Sequence, residues 1–222
     1  MGLALALVGS NAMAQVPPGD TERLAYRGLF DAAAKGDAAR IRALLAGGEK
    51  PDARRDGHGR TPLHVAAHLS KLDAMRALVA GGADPNALEA DRYDIVTIAA
   101  VANDLPALRA ALDLGTSAKN ITSRYDGTAL IAAAHLGHEA VVRMLIAAGA
   151  PLDHVNNLGW TALIESIVLG DGGARHTGTL RALLEAGANA NLPDRQGRSP
   201  LTLARERRYA EMVRLLEQRG AK

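Results

Sequence analysis

Apolar residues come along this chain in paired short runs, and a polar or glycine-bearing turn separates the members of each pair. In the first pair, Leu29-Phe30-Asp31-Ala32-Ala33-Ala34-Lys35 leads through Gly36-Asp37 into residues 38–46, where Ile41, Leu44 and Leu45 fall at helical spacing. The alternation returns as 62–69 with 71–80, 128–135 with 141–146, and 161–169 with 179–186. The first run of each pair is rich in alanine, as at Ala66-Ala67, Ala99-Ala100 and Ala132-Ala133-Ala134. The pattern predicts pairs of short antiparallel helices, with small side chains letting neighbouring inner helices approach closely.

The pairs are phased. Thr61-Pro62-Leu63-His64 echoes as Asp94-Ile95-Val96-Thr97, Thr128-Ala129-Leu130-Ile131, Thr161-Ala162-Leu163-Ile164 and Ser199-Pro200-Leu201-Thr202, at intervals of 33, 34, 33 and 38 residues. A glycine stands four residues before Asn or Asp at Gly48/Asp52, Gly82/Asn86, Gly149/Asp153 and Gly187/Asn191; in the third unit Gly115 stands five before Asn120. Thr61 and Asp94 suit helix N-caps, Pro62 suits a first turn, and the glycines suit left-handed ends. A fixed period in this range means a stack of small units rather than a globular core with a pocket.

The phased motif resembles the ankyrin repeat over roughly residues 24–222, with one full copy from Gly59 through Asn86. The resemblance implies an all-α fold: a solenoid of about six helix-turn-helix units with beta-hairpin-like loops between them. The units are approximately 24–60, 61–93, 94–127, 128–160, 161–198 and 199–222. The first lacks the Thr-Pro-Leu-His entry and the last carries a polar outer face, as terminal caps should.

Composition fits a thin stack. Aromatics make up only 3% of 222 residues, with one Phe30 and one Trp160. The balance of 26 basic against 24 acidic residues, net +2, argues against a nucleic-acid surface, which needs a concentrated basic stripe. Absence of cysteine removes disulfides, thiol catalysis and Cys-based metal sites. At the N-terminus, Leu3-Ala4-Leu5-Ala6-Leu7-Val8 is a short apolar run and Ala12-Met13-Ala14 a small-x-small site before Gln15. Residues 1–14 therefore read as a signal peptide cleaved after Ala14, and 15–23 as an extended leader. The run is too short to span a bilayer. The expected location is periplasmic or secreted, with a cytosolic adaptor as the alternative if the N-terminus stays uncleaved.

Three rows line up just before the inner helices: Arg60, Tyr93, Gly127, Trp160, Arg198; then Gly59, Arg92, Asp126, Gly159, Gly197; then His58, Asp91, Tyr125, Leu158, Gln196. In proteins of this resemblance such positions lie at the loop tips and adjoining concave face, where partners dock. Trp, Tyr and Arg dominate interface energetics, so Arg60, Arg92, Tyr93, Tyr125, Trp160 and Arg198 are the candidate partner-binding residues. The other reading of Tyr93 and Trp160 is that they cover the edge of the helix stack. Arg54, Arg55, Arg60, Arg92, Arg124, Arg195 and Arg198 near the tips would suit an acidic partner. The expected function is protein–protein recognition by a non-catalytic monomer, with inhibitor or accessory subunit of an enzyme as the alternative.

Catalytic, metal and cofactor sites are not expected. His64 and His68 stand at i, i+4, but no third ligand follows and His64 has the repeat's structural slot. Gly170–Gly178 lacks the strand and the Lys-Ser or Lys-Thr of a phosphate loop, and Asp171 is nearly alone for calcium. It reads as a flexible loop in the unit that carries five extra residues. Asp31 and Glu165 occupy a normally apolar frame, four units apart, and each is expected to pair locally. No Gly-x-Ser-x-Gly elbow exists, and Ser166 and Ser199 lack phased His and Asp partners.

Overall fold

Twelve of the helices form six antiparallel pairs, as the spacing predicts. The structure, a computed structural model, describes residues 16–54 and 57–222. The expected signal peptide and Arg55 lie outside the described residues. The inner helices are α2 (Gly28–Lys35), α4 (Pro62–His68), α6 (Ile95–Val101), α8 (Ala129–His135), α10 (Ala162–Val168) and α12 (Pro200–Glu206). The outer ones are α3 (Ala38–Ala46), α5 (Leu72–Ala80), α7 (Leu105–Asp113), α9 (Glu139–Ala147), α11 (Ala174–Glu185) and α13 (Ala210–Gln218). A short helix, α1 (Asp20–Ala25), precedes them. Residues 20–23 of the expected extended leader are therefore helical.

Local chemistry sets the inner helices. Thr61, Asp94, Thr128, Thr161 and Ser199 each accept the backbone N–H three residues on. Each satisfies a donor that the helix leaves open. His64 completes a capping box with Thr61 and reaches the Ala87 carbonyl, with Nε2 at 3.0 Å. The first unit puts Arg27 at this frame, with no side-chain cap.

One apolar core runs between the inner and outer rows. Small residues dominate it, with Ala66, Ala99, Ala133 and Ala204 almost fully buried. Gly81 shows how tightly units approach: a Cβ there would sit 2.2 Å from Leu45 Cδ1 of the preceding unit. Polar rungs tie the units on one edge. Asp52 accepts from the Asp84 N–H, Asn86 from Ser117, Asp153 from Asn189 and Asn191 from Lys222. These are the phased Asx residues that follow the glycines.

The insertion is more ordered in form than the density of glycine suggests. Only 170–173 form a turn; Ala174 already begins α11, which has twelve residues against nine in the other outer helices. The extra residues thus lengthen a helix by about a turn. Asp171 Oδ1 accepts the Gly173 N–H at 2.9 Å, and Tyr209 covers the turn and donates to the Gly170 carbonyl at 2.8 Å. His138 and His176 bridge units alike, through ring nitrogens 3.1 Å and 3.0 Å from the carbonyls of Ala100 and His135.

Candidate functional site

Four of the loops between units are built on one recurring device that the sequence frame marks only faintly. Glu89, Ser123, Asn156 and Asp194 hold equivalent positions, all buried. Each side-chain oxygen accepts two backbone N–H groups, two and four residues on: Asp91 and Tyr93, Tyr125 and Gly127, Leu158 and Trp160, Gln196 and Arg198. The two bonds close a finger, in the manner of an Asx-turn. The residue three positions on takes a left-handed conformation: Arg92 and Asp126 at φ 65° and 51°, Gly159 and Gly197 at 84° and 76°. Among the described residues no strand forms; the hairpin-like character is carried by these turns and by one antiparallel bridge, Thr122 with Gly127. Backbone bonds join finger to finger, from Ala90 to His58, Ser123 to Arg92 and Asn157 to Tyr125, at 2.8, 3.0 and 2.8 Å.

The same turn gives opposite electrostatics. Burial raises the Glu89 carboxyl above its ordinary range, and the Asp91 and Tyr93 N–H groups only partly offset it. Burial opposes ionisation of Asp194 too, but the Arg198 and Gln196 N–H groups and the Arg198 guanidinium outweigh it and lower that carboxyl. Arg198 Nη2 stands 2.7 Å from Asp194.

The candidate residues divide. Arg60 and Tyr93 are not surface groups. Arg60 is 2% exposed, held by Glu22 at 2.8 Å and by the Val16 carbonyl. Tyr93 packs in the main core, which corrects the expectation for that tip position: the apolar ring reaches core space. Trp160 is half-buried against the core, so it covers the stack edge while keeping a face outward. Arg92 is exposed and pairs with Asp126 at 2.8 Å. Tyr125 is half-buried, and Arg198 also meets Glu206 at 3.4 Å. Most of the tip arginines are already matched: Arg124 pairs with Asp91, and Arg54 donates to the carbonyls of Gly59 and Leu88.

Exposed large apolar side chains gather here as well. Ile121 and Val155 are each 48% exposed and Leu158 is 38% exposed, on the two fingers that Asn157 and Tyr125 join. Leu158 lies in a phased row; Ile121 and Val155 carry no signal in the repeat frame, because their exposure depends on how the fingers turn.

Histidines and acids find structural partners. His64 uses both ring nitrogens, Nδ1 towards Thr61 and Nε2 towards Ala87, which leaves neither for a metal. Burial pushes it down to about 4, and burial beside Arg60 pushes His68 down to about 3. Asp31 pairs with Lys35 and Arg40, at 2.8 and 2.7 Å. The Lys35 hydrogen bond is the main cause that lowers its carboxyl. Glu165 accepts from Asn156 Nδ2 at 3.0 Å, and its Oε2 lies 3.2 Å from His135 Nδ1 without hydrogen-bond alignment. The Gly173 N–H and then His176 hold the Asp171 carboxyl below its usual range.

A stack of helix pairs, edge rungs and turn-built fingers defines a repeat solenoid. Two family descriptions match it: "Ankyrin repeats (3 copies)" over residues 96–193 and "Ankyrin repeat" over 58–90. The ankyrin repeat protein YahD of Escherichia coli is 34% identical over 191 residues, covering 86% of this chain and 94% of its own. The chain belongs to the ankyrin repeat family. Among solved structures, an ankyrin repeat domain of Acinetobacter baumannii is 44% identical with a TM-score of 0.81, covering 87% of this chain and 98% of its own. The ankyrin repeat domain of Bcl-3, of the IkappaB protein family, is 29% identical with a TM-score of 0.79, covering 89% and 88%.

Proposed function

We propose that this chain is a non-catalytic protein-binding module that grips its partner with the fingers between units three, four and five. One observation carries this reading: Ile121, Val155 and Leu158 stand exposed on adjoining fingers beside half-buried Tyr125 and Trp160. Exposed apolar side chains clustered with aromatic anchors are the chemistry of an interface centre. Charge supports it less, because Arg92, Arg124 and Arg198 are matched by acids of the chain itself. The contact is therefore chiefly apolar, with matched charges around it that set orientation.

The same reading places the protein in the periplasm, on the strength of the apolar run and Ala12-Met13-Ala14. N-terminal sequencing of the cellular protein tests it: a start at Gln15 fits export, and an intact Met1 makes the protein a cytosolic adaptor.

The binding reading is tested by crosslinking and affinity capture from cell-envelope extract with wild type and Val155→Asp/Leu158→Asp. A protein captured by wild type and lost from the variant supports the finger site. Equal capture by both moves the interface elsewhere on the stack. A captured enzyme whose activity falls on binding would make the chain an inhibitor.

A further inference from the structure

The first two inner helices carry a second apolar cluster, turned away from the main core. Leu29, Ala32 and Ala33 of α2 and Leu63, Ala66 and Ala67 of α4 point into that core. Phe30 and Val65 instead meet each other and Leu69 on the opposite face of the same helices. The chain's own N-terminal arm adds to this cluster. Tyr26 lies across it, with its ring centroid 5.5 Å from that of Phe30. The Tyr26 hydroxyl donates to Glu22 Oε1 at 2.7 Å, and the Arg60 guanidinium donates to the same oxygen at 2.8 Å and to the Val16 carbonyl. The contact ties the arm to Arg60, in a frame that Tyr93 also buries one unit on.

The arm is weakly built in itself. Helix α1 has six residues, no side-chain N-cap and no buried residue, and Leu24 is 80% exposed. So short a helix has little stability of its own. Glu22 and Tyr26, an acid and an aromatic one helical turn apart, tie the arm to unit two and to Phe30. Arg60 makes the surface selective. Its Nε is already buried without a partner, and an occupant with no carboxylate would leave the whole guanidinium desolvated and unpaired.

We propose that this face of units one and two is a second docking surface, for a helical segment of a partner protein that presents a carboxylate and an aromatic ring one turn apart, and that residues 16–26 occupy it as a displaceable stand-in. The surface lies on the first two units, before the apolar fingers of units three to five, and does not depend on them.

The probe is a fluorescently labelled peptide with the sequence of residues 16–27, titrated by anisotropy against the full chain. Glu22→Ala/Tyr26→Ala, which loosens the arm, is expected to bind it at least tenfold tighter than wild type. Adding Arg60→Gln should abolish that gain, and so should Glu22→Gln in the peptide, which serves if the triple variant fails to fold. Equal affinity for wild type and the loosened variant, or binding indifferent to both charge changes, would overturn the proposal. In wild type, excess peptide should speed hydrogen exchange over residues 20–26 by displacing the arm; unchanged exchange at saturating peptide would also overturn it.

Discussion

Asn156 donates its side-chain amide to Glu165 Oε1 at 3.0 Å, and through this bond the inner helix of unit five holds the finger that presents Leu158 and Trp160. Four other units fill the Glu165 frame with Val65, Ile98, Ala132 and Leu203, and unit one with Asp31. Glu165→Leu should leave the Asn156 amide buried and unpaired, at a cost of about 1–3 kcal/mol. Hydrogen exchange at the Leu158 and Trp160 amides should accelerate, while Glu165→Gln keeps the acceptor and protects both. Identical exchange in the two variants would mean that Glu165 does not position the finger.

His64 predicts a pH dependence of stability. Its folded value, about 4, lies below the unfolded value of 6.5 because burial disfavours the charged ring. The unfolded chain therefore binds more protons between these values. The stabilisation is fully present above pH 6.5 and is lost as pH falls to about 4. A shift of this size corresponds to about 3 kcal/mol. Ile131 and Ile164 fill this frame in units four and five. His64→Ile should reduce the slope of urea-derived stability between pH 6.5 and 4, where His68 contributes in the same sense, whatever its effect at neutral pH; an unchanged slope would place the acid sensitivity elsewhere.

Two glycines of the insertion should respond differently to alanine. A Cβ on Gly170 would lie 2.1 Å from the Ser166 backbone carbonyl, which is fixed in α10. Gly170→Ala should cost about 1–3 kcal/mol, the usual range for overpacking. At Gly178 the obstacle is Glu139 Oε2, also at 2.1 Å, but that is the end of a flexible side chain paired with Arg143. Losing the surface pair costs at most about 1 kcal/mol, and replacing a helical glycine returns a similar amount. Gly178→Ala should melt within a few degrees of wild type. A large drop would show that Glu139 is held more firmly than its exposure implies.

Arg92 carries a left-handed backbone, φ 65°, where Gly59, Gly159 and Gly197 stand in other fingers. Arg92→Gly relieves about 1 kcal/mol of backbone strain and gives up an exposed pair with Asp126 of comparable or smaller worth. Thermal stability should hold or rise slightly, and high salt should widen the variant's advantage by screening the pair in wild type. A clear loss at low salt that disappears at high salt would show that the Arg92–Asp126 pair outweighs the strain.

The linear pattern was enough for the architecture. Caps, glycines and alanine runs recur in phase, and each acts within its own unit or on the next one, so period alone specifies helix pairs, stacking direction and edge rungs. The rows before the inner helices identified finger positions as well. Their exposure was decided by contacts between segments far apart in the chain. Arg60 and Glu22 meet across 38 residues, which turns a tip arginine into a buried anchor. The ring of Tyr93 turned inward to core space, and Ile121 and Val155 turned outward with their fingers. The insertion followed the same division. Its length was plain in the sequence, but its helical form came from Tyr209, His135 and Glu139 closing around it. Short-range rules fix a repeat's frame, whereas the surface that a partner meets depends on which side chains the folded neighbours leave uncovered.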